Sequence, residues 1–126
     1  MRLLVDTHVL LWAITEPRRI PLAVGHAMGS PENETFISVI CFWEIAIKKR
    51  TGKLSAPDDL LEQVERHPDF RMLPITAAHA WRVKTLPPHH RDPFDHLLVA
   101  QALIEHMTVV THDRAISQYG VPILAV

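Results

Sequence analysis

Short β-forming runs alternate with longer helical patterns along this chain of 126 residues, and the alternation restricts the fold more than any other feature. The predicted strands are "RLLV" (2–5), "TFIS" (35–38), "RMLPI" (71–75), "TVVT" (108–111) and "VPILAV" (121–126). The first is a continuous apolar run, which is typical of a strand that is buried on both faces. Strands that alternate with helices predict βαβ units, and therefore an α/β fold whose mainly parallel sheet is covered by helices on both sides.

The helical segments are bounded by residues that commonly start and stop helices. Ser38 and Thr76 occupy N-cap positions, and Gly52 and Gly120 follow the ends of two segments. The predicted helices cover 7–14, about 20–29, 39–50, 58–66, 77–86, 93–106 and 113–120. No internal repeat, low-complexity tract or linker interrupts this pattern, so residues 1–126 are predicted to form a single domain.

The charge balance and the single cysteine restrict partners and compartment. Thirteen basic and fourteen acidic residues give a formal net charge of −1, so a nucleic acid would have to be held by a local basic face or a metal ion. Cys41 excludes an internal disulfide and is predicted to be a small buried hydrophobe. Asp6 and His8 interrupt the apolar start, and no run reaches the roughly 18 apolar residues of a membrane span. We therefore expect a cytoplasmic protein without a membrane segment.

Four acidic residues stand beside predicted strands or inside apolar helices. Asp6 directly follows the first strand, Asp113 comes shortly after "TVVT", and Glu44 lies in the apolar helix that follows "TFIS". Asp95 interrupts the apolar helix "PFDHLLVAQA". Because the carboxyl ends of parallel strands meet at one edge of a sheet, these side chains are predicted to converge there.

Each of these acids also has a local explanation. The local alternatives are a turn at Asp6, a helix cap at Asp113, a Glu44–Lys48 pair within one helix, and a capping box of Asp92 with Asp95. A single cause that accounts for all four is a divalent cation, because clustered carboxylates repel one another and a hard cation such as Mg²⁺ or Mn²⁺ prefers oxygen ligands. We predict that the cap explains Asp92 and the metal explains Asp95.

Four blocks span nearly the whole chain in order: "LLVDTHVLLWA", "FISVICFWEIAIKKRTGKL", "LPPHHRDPFDHLLVAQA" and "VVTHDRAISQYGV". Together they resemble PIN-domain ribonucleases, specifically the VapC-type toxins of bacterial toxin–antitoxin pairs. The resemblance implies a three-layer α/β/α sandwich and a Mg²⁺- or Mn²⁺-dependent endoribonuclease that cuts RNA with a metal-activated water. It also implies a homodimer and a small antitoxin partner.

Carried over by position, the family's acidic site falls on Asp6, Glu44, Asp95 and Asp113, and its small polar residue on Thr7 or Thr111. These four acids are the ones that the strand-edge argument selects. One position departs from the family pattern, because His96 stands where relatives usually carry Arg. Two other functions remain open: a metal-dependent DNA nuclease or phosphatase that uses the same acids, and a non-catalytic PIN-like binding domain.

Weaker signals concern basic, imidazole and indole side chains. Lys48, Lys49 and Arg50 either contact phosphates or stabilise the end of their helix, and Arg18, Arg19 and Arg91 are further phosphate candidates. Nine histidines, including the His89–His90 pair, suggest zinc only weakly because no HExxH spacing occurs. Trp12, Trp43 and Trp81 lie in apolar helical patterns, which favours core or interface packing over base stacking.

Overall fold

The computed structural model describes residues 1–89 and 92–126, and within them five strands form one fully parallel sheet. The strands are β1 (Arg2–Val5), β2 (Glu34–Ser38), β3 (Phe70–Leu73), β4 (Thr108–Thr111) and β5 (Ile123–Ala125). Their order in the sheet is β3-β2-β1-β4-β5. β1 lies at the centre, where Val5 is opposite Ile37 of β2 and Val110 of β4. Helices cover both faces, so the predicted α/β/α sandwich is confirmed.

The helices occupy the predicted segments. They are α1 (Thr7–Thr15), α2 (Leu22–Gly29), α3 (Val39–Arg50), α4 (Leu60–Arg66), α5 (Ala77–Arg82) and α6 (Pro93–Glu105). Ser38 caps α3 by accepting a hydrogen bond from the Ile40 amide at 3.1 Å, and Thr76 caps α5 through the His79 amide at 3.2 Å. Gly52 and Gly120 have positive φ angles of 73° and 82°, which explains glycine at both stops. None of the helices in the described part of the chain is long and apolar enough to cross a membrane.

Two predicted helices differ from the observed ones. α5 ends at Arg82, and Val83–Thr85 continue as a 3₁₀ turn rather than as an α-helix to residue 86. The β-branched residues and the Pro87–Pro88 pair disfavour α-helical backbone just before them. The segment Arg114–Tyr119 is also 3₁₀, because it must connect β4 to the neighbouring parallel strand β5 over a short distance.

A buried hydrogen-bond network ties α5 to α6. His79 is only 1% exposed, and its Nδ1 accepts the Thr76 amide hydrogen at 3.0 Å. The ring proton therefore belongs on Nε2, which lies 2.9 Å from Glu105 Oε2 and donates to it. Gln101 is fully buried on α6 and donates to the Pro74 carbonyl at 3.3 Å, while its Oε1 accepts from Ser38.

Replacing His79 with alanine should lower the free energy of unfolding by about 3 kcal/mol, because it creates a cavity, removes the acceptor of the Thr76 amide and removes the donor to Glu105 Oε2. Urea unfolding measures the change. His26→Ala is the matched control, since His26 is exposed on α2 and its loss should change stability by less than about 0.5 kcal/mol. Equal stability of the two variants would contradict the network's contribution.

Candidate active site

A pocket of about 280 Å³ opens at the carboxyl edge of β1 and β4. It is lined by Asp6, Thr7, His8, Trp12, Glu44, Asp92, Asp95, Thr111, His112 and Asp113. All four acids selected from the sequence are in this set, although they come from four separate segments of the chain. The parallel pairing of β1 with both β2 and β4 brings Asp6, Glu44 and Asp113 together, since the segments that follow these strands start at the same edge. Asp95 joins them from the start of α6, the helix that precedes β4.

Asp6 is held rigidly at the end of β1. Its Oδ1 accepts the Val9 amide hydrogen at 2.9 Å and so caps α1, while Oδ2 accepts a hydrogen bond from the Thr111 hydroxyl. Burial is the main cause of a raised Asp6 pKa, which these two hydrogen bonds only partly offset. The charge of Glu44 raises it further. Asp6 is thus a fixed carboxylate in surroundings that oppose its charge.

Glu44 is the most buried acid of the pocket, with 5% of its surface exposed. Its Oε1 accepts from the Thr7 hydroxyl at 2.6 Å, and its Oε2 forms an ion pair with Lys48 one turn further along α3. Burial opposes the charge of Lys48, but the contact with Glu44 and the charges of Asp92 and Asp95 raise its pKa overall. The Glu44–Lys48 pair considered from the sequence therefore exists, and it does not remove Glu44 from the pocket.

Asp95 carries the strongest electrostatic conflict. Burial, and after it the nearby charges of Asp92, Glu44, Asp6 and Asp113 in that order, raise its pKa to about 7. The side-chain carboxylate of Asp95 makes no hydrogen bond or ion pair with any of residues 1–89 and 92–126. A half-buried carboxyl that is repelled by four others, and that has no partner within the described residues, has the electrostatics of a cation ligand.

Asp92 and Asp113 combine helix capping with a place on the pocket. Asp92 Oδ1 accepts the Phe94 amide hydrogen at 2.9 Å, and Asp113 Oδ1 accepts that of Ala115 at 2.9 Å. Asp95 makes no reciprocal bond to the Asp92 backbone within the described residues, so the capping box that was considered as a local alternative does not form. From the sequence, Asp92 is predicted only as a cap, whereas in the structure it also lines the pocket. Its position three residues before Asp95 was the available signal.

Both threonine candidates position acids. Thr7 donates to Glu44, and Thr111 donates to Asp6 while its oxygen accepts the Asp113 amide hydrogen at 2.9 Å. The sequence left open which of the two fulfils the small polar role. The structure shows that each supports a different part of the acidic group.

The donor set fits a hard divalent cation by its chemistry. Five carboxylates line one pocket, where burial and then mutual repulsion raise the pKa of Asp95. In the described part of the chain, no three His, Cys, Asp or Glu side chains are already arranged to hold one ion. Mg²⁺ commonly uses one or two protein carboxylates and completes its shell with waters and phosphate oxygens. No histidine cluster supports the zinc alternative within those residues.

Residues 3–122 match the model of a protein family described as "PIN domain". The chain belongs to the PIN domain family. It is 29% identical over 123 residues to Ribonuclease VapC22 of Mycobacterium tuberculosis, a match that covers 94% of this chain and 92% of that protein.

Solved structures show the same PIN domain fold at low sequence identity. The crystal structure of VapBC2 from Rickettsia felis, bound to a DNA fragment from its promoter, matches with a TM-score of 0.74 at 15% identity, covering 99% of this chain and 98% of that one. VapBC-5 of Mycobacterium tuberculosis, a member of the VapBC family of toxin–antitoxin systems, matches with a TM-score of 0.60 at 19% identity, with coverage of 99% and 98%.

The weaker sequence candidates lie in different places on this PIN domain. Lys49 is bound to the Ala56 carbonyl and to Asp58, which assigns it to a structural role. Arg19 stacks on the Trp12 ring at 4.2 Å from its centroid, beside the pocket. Arg91 and His90 lie outside the described residues.

Two of the three tryptophans do not pack in the core. Trp43 is 55% exposed and Trp81 is 70% exposed, so the core half of the predicted core or interface packing is wrong for both, and interface packing stays a prediction. Trp12 is half-buried and lines the pocket, with His112 in an edge contact at 5.4 Å. Cys41 is buried as predicted, and burial raises the pKa of its thiol to about 12, which makes it unreactive.

Proposed function

We propose that this PIN domain is a divalent-metal-dependent endoribonuclease and the toxin of a toxin–antitoxin pair. The observation that carries the proposal is the pocket in which acids from separate segments converge, and in which burial together with their charges raises the pKa of Asp95 to about 7. The 29% identity to Ribonuclease VapC22 over almost the full length of both proteins supports RNA as the substrate.

The residues of the pocket divide the work of phosphodiester hydrolysis. Asp6 and Asp95 are the proposed direct ligands of Mg²⁺ or Mn²⁺, because one is rigidly held and the other lacks a partner in the described chain. A bound cation supplies Lewis acidity, which promotes ionisation of water and neutralises charge on the phosphate. Glu44, oriented by Thr7 and Lys48, is either a further ligand or the base that orients the attacking water. Asp113 completes the acidic set.

The proposed partners follow from the relatives. Structures of similar fold include a VapBC family member and a toxin–antitoxin complex from Klebsiella pneumoniae. We propose that a small antitoxin protein silences this chain, that the chain forms a homodimer, and that it acts in the cytoplasm. Co-expression with the protein encoded beside it, followed by sedimentation of the complex, tests the first two proposals.

Purified wild-type protein should cut total cellular RNA when Mn²⁺ or Mg²⁺ is present at millimolar concentration and should leave it intact in EDTA. Hydrolysis by water, without attack by a 2′-hydroxyl, should leave 5′-phosphate and 3′-hydroxyl ends, which fragment mapping detects. Parallel digestion of single-stranded DNA and of a phosphate ester distinguishes the other metal-dependent enzymes.

The control variant is Asp58→Asn, which removes an exposed carboxylate paired with Lys49 away from the pocket. It should cut RNA at the wild-type rate. Metal-independent fragments with 2′,3′-cyclic ends, or metal binding without any cleavage by folded protein, would reject the proposed hydrolysis.

A further inference from the structure

We propose that Trp43 and Phe94 form a stacking platform for one nucleobase of single-stranded RNA beside the acidic pocket. This inference rests on the proposed function and specifies how the substrate is held. Trp43 is 55% exposed although it lies in a helix whose other large residues are mostly buried or half-buried. Its ring meets the Phe94 ring at 5.2 Å between centroids and 74° between planes, so Phe94 fixes its orientation.

The platform has one ring on α3 and one on α6, and each ring is next in sequence to acids of the pocket. Trp43 directly precedes Glu44 on α3, and Phe94 lies between Asp92 and Asp95 at the start of α6. All three of these acids line the pocket. Lys48 links the pocket to the platform, since its ammonium group pairs with Glu44 and lies 5.8 Å from the centroid of the Phe94 ring. A base stacked on Trp43 would therefore belong to a nucleotide close to a phosphate in the pocket.

The chemistry of the pocket creates a need for such a contact. RNA is a polyanion, and the pocket wall carries five carboxylates. Phosphate contacts alone are weak against this charge, whereas stacking uses the π face of a base and is independent of the backbone charge. Lys48 adds a positive charge at the edge of the platform, where it reduces repulsion of the neighbouring phosphate.

The size of the exposed patch favours a base over a protein surface. The exposed large apolar residues of α3 are Val39 and Trp43 within the described chain. The exposed part of a tryptophan at this fraction offers on the order of 100 Å². A stable protein interface needs about 800 Å² on each side, whereas one ring face is sufficient for one base.

Binding is best measured in an Asp6→Asn background with Mn²⁺, where RNA is expected to stay intact. The probe is a fluorescein-labelled, unstructured single-stranded RNA of about 12 nucleotides. Trp43→Ala should weaken its binding about tenfold, within the range measured for loss of one stacked base. Trp43→Phe should restore most of the affinity. Trp81→Ala is the matched control, since Trp81 is 70% exposed on α5, and it should bind within about twofold of the parent.

A series of RNAs of the same sequence, each with one abasic nucleotide at a different position, identifies the stacked base. The parent protein should lose affinity at one position, and Trp43→Ala should be insensitive to that position. Equal affinities of the Trp43→Ala and Trp81→Ala proteins, or abasic sensitivity that persists without Trp43, would overturn the platform. A changed sedimentation mass with unchanged RNA affinity would also overturn it and assign Trp43 to a protein contact. Cleavage of total RNA by wild-type protein tests the proposed function separately.

Discussion

Asparagine at position 6 should reduce RNA cleavage on the order of 10³-fold while the protein remains folded. The loss corresponds to several kcal/mol of charge stabilisation, the contribution expected when a ligand of a catalytic cation loses its charge. The fold should survive because Asn is as good an N-cap as Asp, so the Val9 amide keeps its acceptor. The new amide group faces the Thr111 oxygen, which can accept a second hydrogen bond beside that from Asp113.

Single-turnover cleavage of a labelled RNA with Mn²⁺ measures the effect, and thermal unfolding verifies the fold. Asp58→Asn makes the same chemical change at an exposed ion pair and should leave the rate unchanged. Wild-type cleavage by the folded Asp6→Asn protein would remove Asp6 from the chemistry. Loss of cleavage with loss of fold would show that the asparagine cap is inadequate.

Asparagine at position 95 should also abolish cleavage, yet it should stabilise the metal-free protein at about pH 8. The pKa of Asp95 is raised from 3.8 to about 7, so the folded protein holds a proton there that the unfolded chain has lost. Stability from this group is therefore present at about pH 4 and is lost as the pH rises through 7. Asparagine resembles the protonated carboxyl and stays uncharged, so the Asp95→Asn protein does not lose this stability as the pH rises.

The expected gain at about pH 8 is about 2 kcal/mol. The full difference between a pKa of 3.8 and one of about 7 corresponds to about 4 kcal/mol, and solvent screening at this half-buried group reduces it. The favourable interaction of Asp95 with the start of α6, about 0.3–1 kcal/mol, is lost and is smaller. At about pH 4.5 the two proteins should differ little.

Urea unfolding in EDTA at the two pH values measures this gain, and repeating it with Mn²⁺ measures metal linkage. Mn²⁺ should stabilise wild-type protein at about pH 8 and should have little effect on the Asp95→Asn protein. An Asp95→Asn protein that is less stable than wild type at both pH values, or one that Mn²⁺ stabilises equally, would contradict the electrostatic conflict at this site.

Strand-end chemistry made much of the site predictable from the sequence. Asp6 and Asp113 follow two runs of β-forming residues, and the fold places those strands side by side as β1 and β4. Glu44 and Asp95 were selected because a charge inside an apolar helix is expensive without a partner. Both arguments use local sequence and a general property of parallel sheets, and neither needs the tertiary contacts of this chain.

Properties set by tertiary contacts were not predictable. Trp43 and Trp81 have the spacing of core residues, but which face of a short helix is covered depends on its neighbours. The 3₁₀ continuation of α5 depends on the following prolines and on packing against α6. Asp92 illustrates the same limit, because a sufficient local role as a cap concealed its second position on the pocket.

The capping aspartates both start helices and line the acidic pocket, and this dual role predicts how their positions would change in evolution. At positions 6, 92 and 113 a carboxylate caps the start of a helix by accepting a backbone hydrogen bond, whereas Glu44 and Asp95 cap no helix. A lineage that abandoned hydrolysis would keep Asn or Ser at the first three positions, since Ala there costs about 1 kcal/mol each. Residue 95 would drift freely toward uncharged side chains. We therefore expect inactive descendants to retain cap-forming residues at positions 6, 92 and 113 and to have lost the acid at position 95.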